Sequence, residues 1–467
     1  MTGGRYHAGV EHPDPRFGPD PRRTPSPSCD VPVTEHSEPA PGLPGLLDEL
    51  EWRGILHATT PGLRERLATG RSITAYNGFD PSADTLHVGH LIPILGLLRL
   101  QQRGGKPVAL VGGGTGMIGD PSGRSTERNL LSEETLEHNV ASIRAQLERF
   151  LDFTPGPAQA VMANNLDWLG RVSLIDFLRD VGKHFTVPYM LAKDSVQQRL
   201  ERGLSFTEFS YMTLQALDFA TLFREYGVEM QMGGADQWGN ITAGLELIRR
   251  TSGGEAEESP AHGMAYKLLL APSGTKFGKS ESGESVWLDA ERTTPYAFYQ
   301  YWVNCDDQDV STYLRWFTMW PRERIVELEA AVAQRPDARE AQRELALDVT
   351  ARVHGAIEAR SAVEVSAALF QREPVVDPAL LGRIHAATRG PVVAPASASG
   401  GVAVLLAETG LAPSRGEARR LIAGGAITVN GDRITDQGAP VPPAVDGEWL
   451  EVRIGKRNRA VVRIAGV

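Results

Sequence analysis

The chain has 467 residues, of which 41% are hydrophobic and 23% charged, values typical of a globular protein with roughly two to four domains. The net charge of −10 excludes a uniformly basic protein, although a local basic face is enough to bind nucleic acid. Two cysteines, Cys29 and Cys305, exclude a disulfide framework and a cysteine-rich zinc site. No apolar run reaches the ~18 residues of a membrane span, so we expect a soluble, cytoplasmic protein.

The first 42 residues are predicted to be disordered. They hold nine of the 31 prolines and few aliphatic residues. Such a segment buries too little apolar surface to offset the entropy lost on ordering. Helical spacing of apolar residues begins near Leu43, where we expect the ordered part to start.

Residues 43–265 are predicted to form a Rossmann-like catalytic domain of the α/β class. Strand-like runs such as SITAYNGF, KPVALVGG and EMQMGG alternate with helical patterns such as HLIPILGLLRLQQRG and SFTEFSYMTLQALDFATLF. Alternation of this kind indicates a parallel sheet with crossover helices.

Three further segments follow the catalytic domain. Residues 266–370 contain a lysine-rich loop and then a helical domain, and the Pro- and Ala-rich residues 371–399 are predicted to be a linker around a weak helix. Residues 400–467 are predicted to form a small α+β unit with two helices, a strand, an Asn-Gly hairpin and more strands.

The C-terminal unit is locally basic, with nine Lys and Arg against seven Asp and Glu. On a small terminal module of an acidic protein, clustered cations favour contact with a phosphate backbone. One cluster has helical spacing and the other lies at a turn; together they comprise Arg415, Arg419, Arg420, Lys456, Arg457 and Arg459.

The loop SGTKFGKS ends like a Walker A phosphate loop but lacks its first glycine, because Ser273 stands five positions before Gly278. It is therefore a lysine-rich loop with two cations, Lys276 and Lys279. We expect it to need a partner elsewhere in the chain.

That partner is predicted in YNGFDPSADTLHVGHL, where His87, Gly89 and His90 precede a helix. Free N–H groups and the dipole at a helix N-terminus favour bound phosphate, and two imidazoles add hydrogen-bond donors. Gly89 permits close approach of a nucleotide to the backbone.

Three polar residues share one stripe of the apolar helix SFTEFSYMTLQALDFATLF: Tyr211, Gln215 and Asp218. A buried carboxylate is costly unless it is paired. The stripe is therefore either an internal hydrogen-bond network or the wall of an amino-acid pocket, in which Asp218 and Tyr76 contact a phenolic hydroxyl.

A competing motif is GTGMIG, Gly114 to Gly119, which matches the dinucleotide fingerprint G-x-G-x-x-G. That fingerprint should open a helix, whereas Asp120-Pro121-Ser122-Gly123 is typical of a turn. A nicotinamide-dependent enzyme stays open as an alternative.

The motifs GFDPSADTLHVGH, LVGGGTGMIGDPSG, LSFTEFSYM, GGADQWGNITAG and GTKFGKS together closely resemble the bacterial tyrosyl-tRNA synthetases, a family of class I aminoacyl-tRNA synthetases. The resemblance runs from about residue 43 to the C-terminus. It includes PSRGEARRLIAGGAITVNG, which resembles an S4-type RNA-binding module.

The resemblance implies roles for the matching positions. Those implied to bind the substrate tyrosine are Tyr76, Asp120, Tyr211, Gln215, Asp218 and Gln237. Those implied to surround ATP and the adenylate are Asn77, Gly78, Asp80, His87, His90, Gly234, Asp236 and Lys279. Those implied to act on the phosphates during catalysis are His87, His90, Lys276, Lys279, Arg124 and Arg128. Those implied to bind RNA are Arg415, Arg419, Arg420, Lys456 and Arg457.

The resemblance further implies ATP with Mg²⁺ but no zinc, tRNA(Tyr) as partner, anticodon binding by the helical domain, and a homodimer. Asn77 stands where many relatives have Cys, Arg124 where Lys is more usual, and Pro93 lies in the first helical turn. These departures affect affinity rather than chemistry. Two rivals stay open: a non-catalytic RNA-binding protein with the same fold, and a nucleotidyltransferase with a different acceptor.

Overall fold

The structure is a computed structural model that describes residues 42–120, 131–193, 196–197, 200, 203–252, 259–269, 277–279, 283–455 and 458–466. The N-terminal extension predicted over 1–42 thus lies, up to residue 41, outside the described residues. In the described part, no helix is both long enough and apolar enough to cross a membrane.

A six-stranded sheet organises the catalytic domain. Its strand order is β1-β6-β5-β2-β3-β4, and every neighbouring pair is parallel except β1 with β6. The predicted parallel sheet is confirmed, and the antiparallel edge strand is an addition that alternation alone did not indicate. The strands are β1 Leu56–Thr59, β2 Thr74–Phe79, β3 Lys106–Val111, β4 Val161–Asn164, β5 Met230–Gly234 and β6 His262–Tyr266.

Helices cover both faces of this sheet. Because strand residues alternate, Ala75 and Phe79 join the core on one face, while Tyr76 joins Phe219 and Ile241 on the other. The described α-helices of four or more residues in this domain are α1 Leu46–Trp52, α2 Leu63–Ala68, α3 Leu91–Gln102, α4 Glu133–Leu147, α5 Leu166–Leu169, α6 Val187–Leu191, α7 Phe206–Tyr226 and α8 Trp238–Thr251.

The helical domain packs directly on the catalytic domain. Trp302 and Phe317 belong to the same hydrophobic core as Leu91 of α3. At the far end of α3, Arg99 donates from Nη2 to the carbonyls of Trp316 at 2.9 Å and Thr318 at 3.0 Å. The helices are α9 Pro295–Val303, α10 Asp307–Phe317, α11 Arg322–Gln334, α12 Glu340–His354 and α13 Ala356–Phe370.

The C-terminal unit contains a five-stranded sheet of order β7-β11-β10-β8-β9. Asn430 and Gly431 have φ of 50° and 93°, the left-handed pair that a tight hairpin needs, so the predicted turn is present. The elements are α14 Pro378–Thr388, β7 Val392–Val393, α15 Pro395–Ser399, α16 Val402–Glu408, α17 Arg415–Ala423, β8 Ile427–Val429, β9 Asp432–Ile434, β10 Trp449–Ile454 and β11 Asn458–Ile464.

Residues 371–399 differ from the predicted linker. The weak helix is α14, and its Leu381 and Ile384 are buried in a small core with Val461 of β11. In addition, β7 pairs in parallel with β11. Proline and alanine are typical of linkers, but here Pro378 starts a helix at a position where it costs no hydrogen bond.

As far as residue 120, where the described part pauses, the segment after β3 does not open a long helix. Thr115–Met117 is one short 3₁₀ turn, and Asp120 follows it. This geometry is not that of a dinucleotide fingerprint, in which the third glycine lies within the first turn of an α-helix. It disfavours the nicotinamide-dependent alternative.

Candidate active site

One end of the site is a buried carboxylate beside a buried tyrosine. Asp218 on α7 and Tyr76 on β2 are each 1% exposed. The Asp218 carboxylate accepts hydrogen bonds from Asn165 Nδ2 at 2.9 Å and Trp168 Nε1 at 2.8 Å. Burial raises the pKa of Asp218 to about 7. Because a carboxylate has about four lone-pair sites, it can accept from a further donor.

Two buried polar atoms on neighbouring strands, one of them on Tyr76, lack hydrogen-bond partners among the described residues. The Tyr76 hydroxyl has no hydrogen-bond partner among the described residues, although its ring packs on Phe219 at 5.4 Å between centroids. Gln231 is its register partner on β5, and within the same described part its Oε1 is also unpaired. Such buried groups are rare in native proteins, and here they share one face of the sheet. These buried, unpaired groups therefore suit a ligand that ends in a hydroxyl group.

A chain of side-chain hydrogen bonds joins three of the predicted residues. Gln237 donates from Nε2 to Asp120 at 2.9 Å, and its Oε1 accepts from Gln215 at 3.4 Å and from Asn240 at 3.0 Å. Tyr211 lies one turn before Gln215 on α7 and is buried. This arrangement supplies an acidic and amide-rich surface, which is suited to an ammonium group and a carboxylate.

The two histidines stand at the predicted helix start, where His87 caps the turn Val88–His90 that leads into α3. The N–H of Gly89 donates to His87 Nδ1 at 3.0 Å, and the N–H of His87 donates to His90 Nδ1 at 3.2 Å. A side chain at Gly89 would clash, because its Cβ would lie 2.7 Å from the His87 ring.

Both imidazoles are neutral donors in this setting. Burial and then the nearby Lys279 lower the pKa of His87, while burial and then His87 lower the pKa of His90 to about 3. Each Nδ1 accepts from a backbone N–H, so the single ring proton must lie on Nε2. The pair thus presents two preoriented N–H donors at a helix N-terminus, a favourable place for phosphate.

The end of the lysine loop is held next to these histidines. Val286 N donates to the Gly278 carbonyl at 3.1 Å, and Val88 N donates to the Val286 carbonyl at 3.0 Å. Lys279 donates from Nζ to Ser285 Oγ at 2.9 Å. The loop and the histidine motif, 190 residues apart in the sequence, are therefore joined by one short strand-like segment.

Phe277 anchors the loop to the helical domain. Its ring stacks on Phe317 with 5.2 Å between centroids and an interplanar angle of 12°. Trp302 and Tyr313 approach it at 6.1 and 5.5 Å. This anchor fixes one side of the loop while Gly278, with φ of 84°, allows the chain to turn toward the site.

A second polar region lies at the carboxyl ends of β2 and β5. Asn77 is buried and faces away from Tyr76, and its Nδ2 donates to the Gly78 carbonyl at 3.1 Å. Asp80 follows β2, and Asp236 follows Gly234 at the end of β5. Burial raises the pKa of Asp236. Ligands of open α/β sheets bind at this edge of the strands.

The arginines of the C-terminal unit separate into two groups. Arg415, Arg419 and Arg420 lie exposed on α17, although Arg415 pairs with Glu408 at 3.3 Å and Arg420 pairs with Glu417. Arg459 is different: its side chain is 5% exposed and pairs with Glu451 at 2.8 Å. The prediction that Arg459 contacts phosphate together with its neighbours is wrong, because a buried guanidinium cannot reach an external backbone.

Some predicted residues cannot be placed. Lys276, Arg124, Arg128, Lys456 and Arg457 lie outside the described residues.

Sequence reasoning missed three residues of the pocket: Asn165, Trp168 and Gln231. Asn165 directly follows β4, so the rule that polar residues at strand ends line the site could have found it. Gln231 interrupts the apolar strand MQMGG, which is also a visible signal. Trp168 gave no signal, because its indole N–H reaches Asp218 only through the fold.

The fold and the site together define a nucleotide-binding α/β enzyme with neutral histidine donors and a lysine loop. The family model of tRNA synthetases class I (W and Y) matches residues 68–371, and the S4 domain model matches residues 401–445. The chain therefore belongs to the class I tRNA synthetases of the tryptophan and tyrosine group.

Comparison with individual relatives agrees with this family assignment. The chain is 49% identical over 432 residues to the tyrosine–tRNA ligase of Roseiflexus castenholzii, covering 90% of this chain and 99% of that one. It is 48% identical over 430 residues to the tyrosine–tRNA ligase of Geobacillus stearothermophilus, covering 90% and 100%. Among solved structures, a C-terminally truncated mitochondrial tyrosyl-tRNA synthetase of Aspergillus nidulans superposes with a TM-score of 0.62 at 30% identity, covering 70% and 94%.

Proposed function

We propose that this chain is a tyrosine–tRNA ligase that acts in two steps. The carboxylate of L-tyrosine first attacks the α-phosphorus of ATP, giving tyrosyl-adenylate and pyrophosphate. A ribose hydroxyl of the terminal adenosine of tRNA(Tyr) then takes the tyrosyl group, and AMP leaves. The observation that supports this best is the buried pair of Asp218, which already accepts two hydrogen bonds, and Tyr76, whose hydroxyl has no partner among the described residues.

The pocket explains a preference for tyrosine over phenylalanine. The phenolic hydroxyl donates to Asp218 and can accept from the Tyr76 hydroxyl. Phenylalanine would leave the Tyr76 hydroxyl buried and unpaired, at a cost of about 1–3 kcal/mol, and would deprive Asp218 of a third hydrogen bond. The phenolic hydroxyl of tyrosine is therefore selected because a substrate without it would leave buried polar groups of the protein without a hydrogen-bond partner.

No protein nucleophile is needed for the first step. The substrate carboxylate is the nucleophile, so the protein contributes positioning and charge. The Nε2–H groups of His87 and His90 donate to phosphate oxygens, and Lys279 leaves Ser285 to neutralise negative charge on the departing pyrophosphate. Asp120, Gln215 and Tyr211 hold the ammonium group, and Gln237 orients the carboxylate.

The adenosine half of ATP is assigned to the second polar region. Asn77, Asp80 and Asp236 provide hydrogen bonds to the ribose, and Gly78 and Gly234 let it approach the backbone. Mg²⁺ enters with the ATP phosphates, since magnesium is usually bound through substrate phosphates rather than by an all-protein cage. Lys276, Arg124 and Arg128 complete the set of cations over the pyrophosphate.

The tRNA is assigned to the helical domain and the C-terminal unit. The helical domain reads the anticodon, and the exposed α17 arginines contact the phosphate backbone together with Lys456 and Arg457. Contacts to phosphate position the RNA without reading its sequence. We place the reaction in the cytoplasm, where tRNA is charged for translation.

A homodimer is the proposed assembly. Exposed large apolar side chains are frequent between residues 174 and 206, and Phe206, at the start of α7, is 78% exposed. Exposed apolar patches of this kind mark protein–protein contacts. The others among the described residues are Leu174, Ile175, Leu178, Val187 and Leu200.

The test is transfer of radiolabelled tyrosine to tRNA(Tyr) in the presence of ATP and Mg²⁺. The proposal predicts tyrosine esterified to the tRNA, with AMP released. RNA binding without any esterification would support the non-catalytic rival. Adenylate transfer to an acceptor other than tRNA would support the nucleotidyltransferase.

A further inference from the structure

The C-terminal sheet is joined to the helical domain by a buried ion-pair cluster. Glu451 on β10 is 1% exposed, and its Oε1 lies 2.8 Å from Arg459 Nε on β11. Arg453 is the register partner of Arg459 and lies 3.3 Å from the same carboxylate oxygen. One carboxylate thus orients two guanidinium groups on one face of the sheet. We call these three residues the arginine clamp.

The clamp reaches across to the end of α13 in the helical domain. Arg459 donates to the carbonyls of Ala368 and Gln371, the latter at 2.9 Å, and to that of Glu373 at 3.2 Å. The last carbonyls of a helix have no intrahelical partner and carry partial negative charge. The arginine from one domain therefore caps the terminal helix of the other.

Further bonds fasten the chain that follows α13. Arg453 donates to the carbonyls of Arg372 and Glu373, and Glu451 Oε2 accepts from the Val375 N–H at 3.3 Å. Backbone groups of four of the five residues from 371 to 375 are thus held by the C-terminal sheet. These hydrogen bonds restrict the movement of the segment between the two domains.

An apolar core lies beneath the clamp and spans the same junction. Val365 and Ala368 of α13 pack with Leu381 of α14 and Val461 of β11. Inter-domain contacts that are small and polar permit relative motion, whereas a shared core does not. The clamp and the core together fix one orientation of the C-terminal unit.

We propose that Arg459, Arg453 and Glu451 are positioning residues for tRNA. They hold the C-terminal unit in the orientation at which it and the helical domain contact one tRNA molecule together. Two binding surfaces held at a matched distance reinforce each other, and the gain is lost when their geometry is loosened. The inference rests on the proposed function and adds to it residues that touch neither tyrosine nor ATP.

The clamp should affect only the tRNA step. Tyrosine activation takes place at the six-stranded sheet, whereas the clamp lies between α13 and the C-terminal sheet. Because the Arg459 side chain is buried, a loss of tRNA affinity on its substitution cannot come from a direct phosphate contact.

The experiment compares Arg459→Gln with Arg463→Gln in the full chain. Arg463 also lies on β11, but it is half exposed and pairs with Glu448 inside the C-terminal unit. Each variant is assayed for tyrosine-dependent ATP–pyrophosphate exchange and for charging of tRNA(Tyr). For Arg459→Gln we expect at least a tenfold rise in the KM for tRNA, with kcat and exchange within about twofold of the unsubstituted chain. Arg463→Gln should leave all three values within about twofold.

Two results would overturn the inference: an unchanged tRNA KM in folded Arg459→Gln, or a fall of exchange in step with charging. If Arg459→Gln does not fold, Arg453→Gln removes the less buried arginine and must show the same rise in KM. If the unsubstituted chain shows no exchange with tyrosine, the proposed function fails instead.

Discussion

The main-chain N–H of His87 donates to Nδ1 of His90 over 3.2 Å, and this one bond sets the chemistry of the second imidazole. It places the His90 proton on Nε2, and the low pKa of about 3 keeps the ring neutral near pH 7. His90 therefore acts as a hydrogen-bond donor rather than as a cation. Positive charge comes instead from the lysine loop.

The substitution His90→Ala removes a preoriented donor without touching the tyrosine pocket. We expect adenylate formation to slow by about 10²–10³, with tyrosine affinity nearly unchanged, because the donor acts where charge develops. Single-turnover kinetics and equilibrium binding of tyrosine measure the two quantities. Equal losses in both would contradict the role given to His90.

The substitution Tyr76→Phe should stabilise the free protein while weakening its selectivity. Removing a buried hydroxyl that has no partner in the described part of the chain relieves a cost of about 1 kcal/mol or more. The same change removes a hydrogen bond to the substrate, so discrimination against phenylalanine should fall by about tenfold. Thermal unfolding and the ratio of kcat/KM values for the two amino acids report these effects.

Tyr266→Phe is the matched control for that prediction. Tyr266 is also buried, and among the described residues its hydroxyl likewise has no partner, but it belongs to the core on the other face of the sheet. It should gain stability without losing selectivity. A loss of selectivity in both variants would argue against a specific contact from Tyr76.

Asp218 should make stability depend on pH. Its pKa of about 7 exceeds the ordinary value of 3.8, so the folded state holds the proton more tightly than the unfolded state does. The contribution of protonated Asp218 to the free energy of unfolding is complete below about pH 4. It is lost as the pH rises through about 7. Relative to Asp218→Asn, the unsubstituted chain should lose on the order of 2 kcal/mol between pH 5 and 8.

Chemical denaturation at several pH values tests this difference. The low pKa of His90 acts in the opposite direction, since stability falls as pH drops below about 6.5, but it is present in both chains and cancels. Parallel stability curves for the two chains would show that Asp218 does not titrate in this range.

The substitution Phe206→Asp tests the proposed dimer. A charge in place of the most exposed of these apolar side chains disfavours association, because each partner would bury an unpaired carboxylate. We expect sedimentation to give a dimer for the unsubstituted chain and a monomer for the variant at micromolar concentration. Ile357→Asp, at an exposed apolar residue of the helical domain, should remain dimeric. A monomeric unsubstituted chain would contradict the assembly.

Much of the fold could be predicted from the sequence because local patterns dictate it. Strand β3 is a short apolar run, and α7 has a Ser205 cap with Glu208 three residues later, which is a capping box. The sequence therefore predicts the positions of β3 and α7 to within a few residues. The antiparallel pairing of β1 with β6 was not, since a four-residue strand carries little periodicity.

The position of His87 and His90 at the start of a helix could be predicted from the sequence, since the motif directly precedes an apolar helical pattern. The backbone bonds that fix their tautomers could not, because they depend on the local turn. The predicted contact of Arg459 with phosphate was wrong because it rested on charge clustering alone. Charge clustering in sequence says nothing about burial, and a carboxylate eight residues away, Glu451, draws this arginine into the junction.

Tyrosine-dependent ATP–pyrophosphate exchange, with phenylalanine measured in parallel, tests the proposed function most directly. We expect exchange with tyrosine and at least a hundredfold less with phenylalanine, since Asp218 and Tyr76 would each lose a partner. Equal exchange with both amino acids would contradict the pocket. Absence of exchange with any amino acid, from folded protein that still binds RNA, would contradict the enzyme.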